Sequence, residues 1–434
     1  MADRTTRIHE TTQRSLARLA FVALGLVPLM LCLWLSAATF LPGHSSRQAA
    51  AWQQGLQELY GLSFKIKQAQ ALAPYRYVLD EVQLIHPETD RTLGSVKQIA
   101  IQLIEGQWKV KLLGGQFSWD QSDDMSRFFH QWYMCRPNVR RHPALIEADQ
   151  LELRDGQRSF SVLKLDAQVF PERERWAVKA TFRPSMPANH SPMPDSQLLM
   201  VRHHDPEDSA TEIQLRAASD LPGWLILPLL SGTASADPNS TSRLALESCS
   251  FSGVLDVRSQ KQGDTAYLTD ARLSSLDLSR ITSGQSTILS GQGSINIARA
   301  MLGSRGLLWA EGTFEMGPGR VDTAFLGSLS RYLDLDMSRQ NPVGVTSFDR
   351  LSASFRLMPQ QLQLVGRLSP EGGLLEDAHG PLVARRDESP LPIENVVYAL
   401  VGSQPTLGRR ALAWLPMEDS QRQQASSVLR ISRN

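Results

Sequence analysis

The stretch IAIQLIEGQWKVKL, residues 99–112, decides the fold class. Ile99, Ile101 and Leu103 recur at every second position. After the polar turn at Glu105 and Gly106, Trp108, Val110 and Leu112 do the same. A period of two on both sides of a short break is the pattern of a hairpin with one apolar and one wet face. Upstream, LSFKIK places Leu62, Phe64 and Ile66 on one side. Downstream, LKLDAQV alternates Leu163, Leu165, Ala167 and Val169, and RWAVKATF alternates Trp176, Val178, Ala180 and Phe182. The expectation is a chain that is mainly β with a few helices, its strands antiparallel and each greasy on one face.

Further out the period changes. SSRQAAAWQQGLQELYG, just before the first strand, sets Trp52, Leu56, Leu59 and Tyr60 on one helical face with Gly61 as its stop. DTAFLGSLSRYLDL places Phe325, Leu326, Leu329, Tyr332 and Leu333 at helical spacing, and LPIENVVYALVG does so with Ile393, Val396, Val397, Leu400 and Val401. FDRLSASFRL and QLQLVGRL read as a hairpin across MPQ. RPSMPANHSPMPDS, RHHDPEDSAT and SGTASADPNSTS read as polar loops, the last a boundary near residue 231.

From Leu19 to Gly43 no side chain is charged. A spanning helix needs ~20 apolar residues, more than a secretory h-region of about 7–15. The run therefore reads as a retained transmembrane anchor, although the small residues of LSAA also suit a signal peptidase. Arg4, Arg7, Arg14 and Arg18 precede it, so residues 1–18 form a cytoplasmic tail and the bulk of the chain is exported. Division follows as a 19–43 anchor, a 44–230 β-rich region, a second β-rich region over 245–405, and a C-terminal helix and polar tail over 406–434. GWLILPLLSG is too short to span.

Lys and Arg total 45 against 44 Asp and Glu, a net charge of +1, which argues against nucleic acid. Of three cysteines, Cys32 lies in the apolar run. Cys135 and Cys249 are left as a single disulfide or as two buried thiols. SRFFHQWYMCRPNVRRHP mixes Trp132 and Tyr133 with Arg136, Arg140 and Arg141, a composition suited to a membrane interface or a phosphate head group. The same residues suit a short helix with aromatics beneath the sheet and arginines in water.

Each candidate catalytic pattern in the sequence has a plainer structural reading. SVLK at Ser161–Lys164 has S-x-x-K spacing, but strand alternation would put the two side chains on opposite faces. GQGSIN at Gly291 lacks a third glycine and reads as a bulge or turn. His203, His204, Asp205, Glu207 and Asp208 read as a solvated turn, and Glu172/Glu174 and Asp334/Asp336 have no apolar surroundings to raise a pKa. The chain is expected not to be an enzyme and to carry no cofactor or metal.

The order of these elements resembles that of the AsmA-like proteins of the bacterial envelope, a family whose larger members include TamB and YhdP. The anchor, the short helix and GLSFKIKQAQALAPYRYVLDEVQLIHPETDRTLGSVKQIAIQL are similar to the family's start. FSGVLDVRS, ARLSSLDLSRI, LSGQGSINIARAMLGSRGLLWAEGTFEMGPGRVDTAFLGSLSRYLDL and FDRLSASFRLMPQQLQLVG are similar to its C-terminal region. Together they cover roughly residues 15–120 and 250–402. The resemblance implies an inner-membrane protein, N-terminus cytoplasmic, whose periplasmic part is an elongated, curled β-sheet with an apolar inner groove. It implies a role in handling phospholipid or another acyl-chain lipid, or in envelope integrity, alongside a further envelope protein. The groove is expected to be lined by Phe64, Ile66, Ile101, Leu103, Trp108, Val110, Val178 and Phe182. About 14–18 strands at ~4.8 Å would make it roughly 70–85 Å long. Alternation alone favours a β-sandwich shut against itself, a tethered scaffold for a protein or glycan, and it is the resemblance that turns the reading to an open groove.

Overall fold

The computed structural model describes residues 30, 44–60, 63–86, 89–119, 143–172, 175–185, 194–203, 210–230, 249–260, 263–281, 289–303, 306–337, 344–385, 387, 389–403 and 415–417. The apolar run 19–43, apart from Met30, and the segment holding Trp132, Tyr133, Cys135, Arg136, Arg140 and Arg141 lie outside them. No helix among the described residues is long and apolar enough to cross a membrane.

Twenty strands among the described residues join one sheet that does not close. Helix α1 (His44–Tyr60) leads into β1 (Ser63–Ala73), β2 (Arg76–Ile85), β3 (Thr92–Ile104) and β4 (Gln107–Ser118). Then come β5 (Ala144–Asp155), β6 (Arg158–Glu172), β7 (Arg175–Pro184), β8 (Ser196–His203) and β9 (Ala210–Pro222). Helix α2 (Gly223–Leu230) precedes β10 (Ser250–Gln260) and β11 (Gly263–Asp277). The turn α3 (Leu278–Ile281) leads to β12 (Leu289–Gly303) and β13 (Gly306–Asp322). Helix α4 (Thr323–Leu333) follows, then β14 (Asp336–Met337), β15 (Val345–Phe348), β16 (Arg350–Met358) and β17 (Gln361–Gly366). The chain ends with β18 (Gly373–Asp377), β19 (Gly380–Ala384), β20 (Leu391–Pro392) and α5 (Glu394–Ser403).

From β1 to β13 each strand pairs with the next in sequence, and β13 passes the sheet on to β15 and β16. The expectation of a wholly antiparallel sheet needs one correction. β4 and β5 run parallel, Trp108 opposite Ala144 and Phe117 opposite Leu153. The reason is chain length. A tight turn returns a strand antiparallel, whereas the long connection after β4 returns to the edge from which β4 began.

Alternation also breaks once near the middle of many strands, and the breaks line up. The ladder skips Lys67 and Glu81, then Lys97 and Gly114, then Asp149 and Lys164. It shifts again at Gly253 and skips Asp270. Glu81, Lys164 and Asp270 take φ of 50°, 50° and 47°, and Gly114 takes 67°. Left-handed backbone costs a non-glycine residue roughly 1–2 kcal/mol, so these positions are held by their neighbours. At each break two successive residues share the outer side, as Asp80–Glu81 and Lys97–Gln98 do. The inner side then resumes three positions on, from Leu79 to Val82 and from Val96 to Ile99. In the first three of these ladders one residue is skipped on each strand and the register is kept, so the breaks turn the strands over without adding a residue, and aligned across neighbouring strands they form a crease.

Three helical caps sit on the sheet. α1 covers β1 and β2, where Ala49, Ile66, Ala69, Leu79 and Val82 are buried with Trp52 and Leu56 packed against them. The indole of Trp52 meets Tyr77 edge-on at 5.1 Å. α2 buries Trp224, Leu225 and Ile226 with Leu151, Phe160 and Phe251, and the Trp119 indole N–H donates to the Trp224 carbonyl at 3.3 Å. α4 starts on Asp322, whose carboxylate accepts from the Ala324 N–H at 2.8 Å. It packs against α5 over a core including Val321, Phe348, Ala353 and Leu374.

Candidate functional site

Register fixes which side chains share the inner face. One row passes from Leu103 to Trp108, Ala144, Val169, Val178 and Met200. It continues through Ile213, Val257, Ala266, Leu302 and Leu307. A second row starts at Ala71 and Tyr77 and runs through Ile101, Val110, Ile146 and Ala167. Beyond Ala180 it holds Leu198, Leu215, Leu255, Leu268 and Ala300, then Ala310, Leu357 and Leu362. Every position in both rows is apolar. The second row crosses fifteen strands, about 65–70 Å at ~4.8 Å per strand.

The outer face is built of matched charges instead. Lys109 pairs with Glu147 at 2.7 Å, Lys111 with Asp149 at 3.0 Å, Lys67 with Glu81 at 2.6 Å and Arg356 with Glu311 at 3.0 Å. These are exposed pairs of small individual worth, but they fix which side faces water.

Coverage of the inner face varies along the stack. Leu215, Leu255, Val257 and Ala266 are almost fully buried, Leu255 and Ala266 at 0% exposure. In the earlier strands Ile101, Leu103, Trp108, Val110, Ile146, Val178, Met200 and Phe182 are only half-buried. All twenty described strands belong to one sheet. The inner face is thus a continuous apolar surface, covered by α1 at its first strands and by α4 and α5 at its last, and most deeply buried from β9 to β13.

The eight residues expected to line a groove all fall on this inner face. Phe64 and Ile66 lie in the cluster under α1, with Ile66 at 6% exposure, so the helix covers them. Ile101, Leu103, Trp108 and Val110 sit on the half-buried rows, as does Val178. Phe182 falls on the same side where the crease passes between β6 and β7. Leu163 does not join Leu165 and Ala167. The break at Lys164 leaves Leu163 and Lys164 together on the outer side, and therefore on the same face as Ser161. GQGSIN is a bulge within β12, where register shifts between Gly291 and Gly293 and Gly291 takes φ 143°. The proposed head-group residues Trp132, Tyr133, Arg136, Arg140 and Arg141 lie outside the described residues, as does Cys135. Cys249 is buried, and burial pushes its thiol up to about 11.

One inner-face residue was hidden in a stretch read as a turn. Arg202 belongs to β8, where the inner positions are Ser196, Leu198, Met200 and Arg202. The period-2 step from Leu198 through Met200 was the signal that could have found it. Elsewhere, a polar cleft of about 600 Å³ opens on the outer side, bordered by Arg272, Ser294, Glu315, Asp349, Arg350 and Arg367. Arg367 approaches Glu315 at 4.0 Å there. No cluster of three metal-ligating side chains occurs among the described residues. Asp334 is the left-handed cap of α4 and Asp336 begins β14.

Comparison with known protein families, curated proteins and solved structures finds no match.

Proposed function

We propose that this chain is a membrane-anchored, non-enzymatic carrier of acyl-chain lipid, of the AsmA-like kind, working from the inner membrane of a bacterial envelope. The observation that supports this most is the unbroken apolar row from Ala71 to Leu362 in a sheet that does not close. A core built only for stability would bury such a row throughout. Here, before β9, Ile101, Val110, Ile146 and Leu198 stay half-covered, while Ala167 and Ala180 are buried. Burying a methylene gains ~0.8 kcal/mol, so a hydrocarbon chain lying along several half-buried side chains is held by many small contributions and released without one large barrier. The N-terminal apolar run would tether the trough to the membrane from which lipid enters. A trough of this length would work with a further envelope protein at its far end.

The test is lipid capture by the full chain extracted in a mild non-ionic detergent and read by native mass spectrometry. Diacyl lipid is expected to co-purify. Val178→Glu, which sets a carboxylate in the half-buried row, is expected to remove it while the circular dichroism of the sheet is retained. A lipid-free wild-type chain under gentle handling would instead favour a tethered scaffold that binds a protein or glycan partner.

A further inference from the structure

The inner face ends on a polar row at one edge of the trough. Trp176 lies opposite Arg202, Arg202 opposite Thr211, Thr211 opposite Ser259, and Ser259 opposite Asp264. This row borders the apolar one through Val178, Met200, Ile213, Val257 and Ala266, one inner-facing step of roughly 6.6 Å away along each strand.

Arg202 is 7% exposed, yet its guanidinium makes one hydrogen bond, from Nη1 to Thr211 Oγ1 at 2.9 Å. Its Nε is buried with no partner. No carboxylate pairs with it among the described residues, whereas the outer-face cations Lys109, Lys111 and Arg356 each have one. A buried charge without a counter-charge is costly, and a buried donor without an acceptor adds to the cost. An inward-facing guanidinium that is buried with one arm held and its Nε unpartnered is placed to receive an anion. The planar fork of arginine offers parallel N–H groups that suit a phosphate or carboxylate, and Thr211 fixes one arm of the fork.

We propose that Arg202, oriented by Thr211, is an oxyanion site at the edge of the trough, and that it takes the phosphate of an amphiphile whose chain lies on the neighbouring Met200–Ile213 row. The second half of this rests on the lipid reading above; the first half does not. The side chain selects and orients the head group, while the apolar rows hold the tail.

The experiment uses the full chain in non-ionic detergent and three separate probes: dioleoyl phosphatidate, dioleoylglycerol and inorganic phosphate. Wild type is expected to bind phosphatidate at least tenfold more tightly than dioleoylglycerol. Arg202→Met is expected to bind both equally, with the dioleoylglycerol affinity unchanged, and to melt without ligand at or above the wild-type temperature. A merely structural arginine would give a lower melting temperature on removal. Arg202→Lys, which keeps charge but not the fork, is expected to fall between, and it decides the ratio if Arg202→Met does not fold. Equal binding of the two lipids by wild type, or undiminished preference in the variants, overturns the site and leaves the carrier reading intact. If neither lipid binds but phosphate stabilises wild type and not the variants, the anion site stands and the lipid reading falls. No binding of any probe removes both.

Discussion

Arg385, in the C-terminal cap, is 1% exposed and donates to three carbonyls, those of Leu333, Asp387 and Ser389. Arg202, on the inner face of β8, is 7% exposed and donates to one hydroxyl. Burial draws the Arg385 pKa below the ordinary guanidinium range, while the nearby carboxylates of Asp334 and Asp387 oppose that shift. The cap thus encloses its cation completely and closes its apolar faces with its own side chains, from Phe348 at 1% to Ile393 and Val397 at 0%. The inner face of the earlier strands has the same alternation but leaves Val110, Val178 and Met200 half-covered and the Arg202 Nε without a partner. On the proposed reading, the difference separates residues that hold the fold together from residues that bind a ligand.

The sharpest way to break that contrast is to remove each arginine. Arg385→Met strands the buried Leu333 carbonyl and removes two partly buried bonds to the Asp387 and Ser389 carbonyls; with ~1–3 kcal/mol for the first and about 1 for each of the others, a loss of roughly 3–4 kcal/mol is expected in urea unfolding. Arg202→Met is expected to cost under about 1 kcal/mol or to stabilise, since it takes away an unpaired buried charge. Equal losses would erase the distinction.

Two phenylalanines test the apolar side of the comparison. Phe348 is 1% exposed in the cap and Phe182 is half-buried on the inner face of β7. Phe348→Ala should cost about 3–4 kcal/mol and Phe182→Ala roughly 1–2, because the second site has less packing to lose. A trough position as costly as the cap position would mean that the row is an ordinary core.

The crease comes next in size. Gly253 has φ 122°, and a Cβ there would lie 2.5 Å from the Ala271 Cα and 2.6 Å from the Asp270 carbonyl oxygen. Both atoms are backbone and cannot swing aside, so Gly253→Ala should cost about 2–3 kcal/mol. Glu81→Gly acts in the other direction at φ 50°, relieving left-handed strain and offsetting part of the loss of its exposed pair with Lys67. Its net change in thermal stability is expected to stay within about 0.5 kcal/mol.

How far the sequence carried these conclusions can be judged from particular stretches. Period-2 alternation identified the hairpin of β3 and β4 and the inner face of β7. Helical spacing identified α1, α4 and α5, because amphipathic patterns are local. The parallel pairing of β4 with β5 was not legible, since the direction of return depends on where a long connection ends. The crease was missed because strict alternation was assumed, although the pattern apolar–polar–polar–apolar recurs in LDEV (residues 79–82), VKQI (96–99), ADQL (148–151) and LTDA (268–271). Arg202 was missed because a basic residue beside two histidines looks like a turn, and only register shows its parity with Met200. Coverage of the greasy face depends on distant elements and cannot be read from any local period.

The smallest effect concerns Cys249, at the junction where the Gly223 N–H donates to its carbonyl at 2.7 Å. Burial raises its thiol from 9.0 to about 11. Because the folded pKa lies above the unfolded one, the stabilisation is complete below pH 9 and fades as pH climbs through 11. The stability difference between wild type and Cys249→Ala should therefore shift against wild type between those values, by on the order of 1 kcal/mol, in parallel urea titrations. A cysteine bonded to Cys135 has no thiol to titrate, so a difference that stays flat with pH, together with a mass change on reduction, would assign the bridge instead. Either outcome bears on the comparison: a titrating thiol makes the α2 junction a closed, dry core like the cap, and a bridge would make it a covalent clamp on the trough.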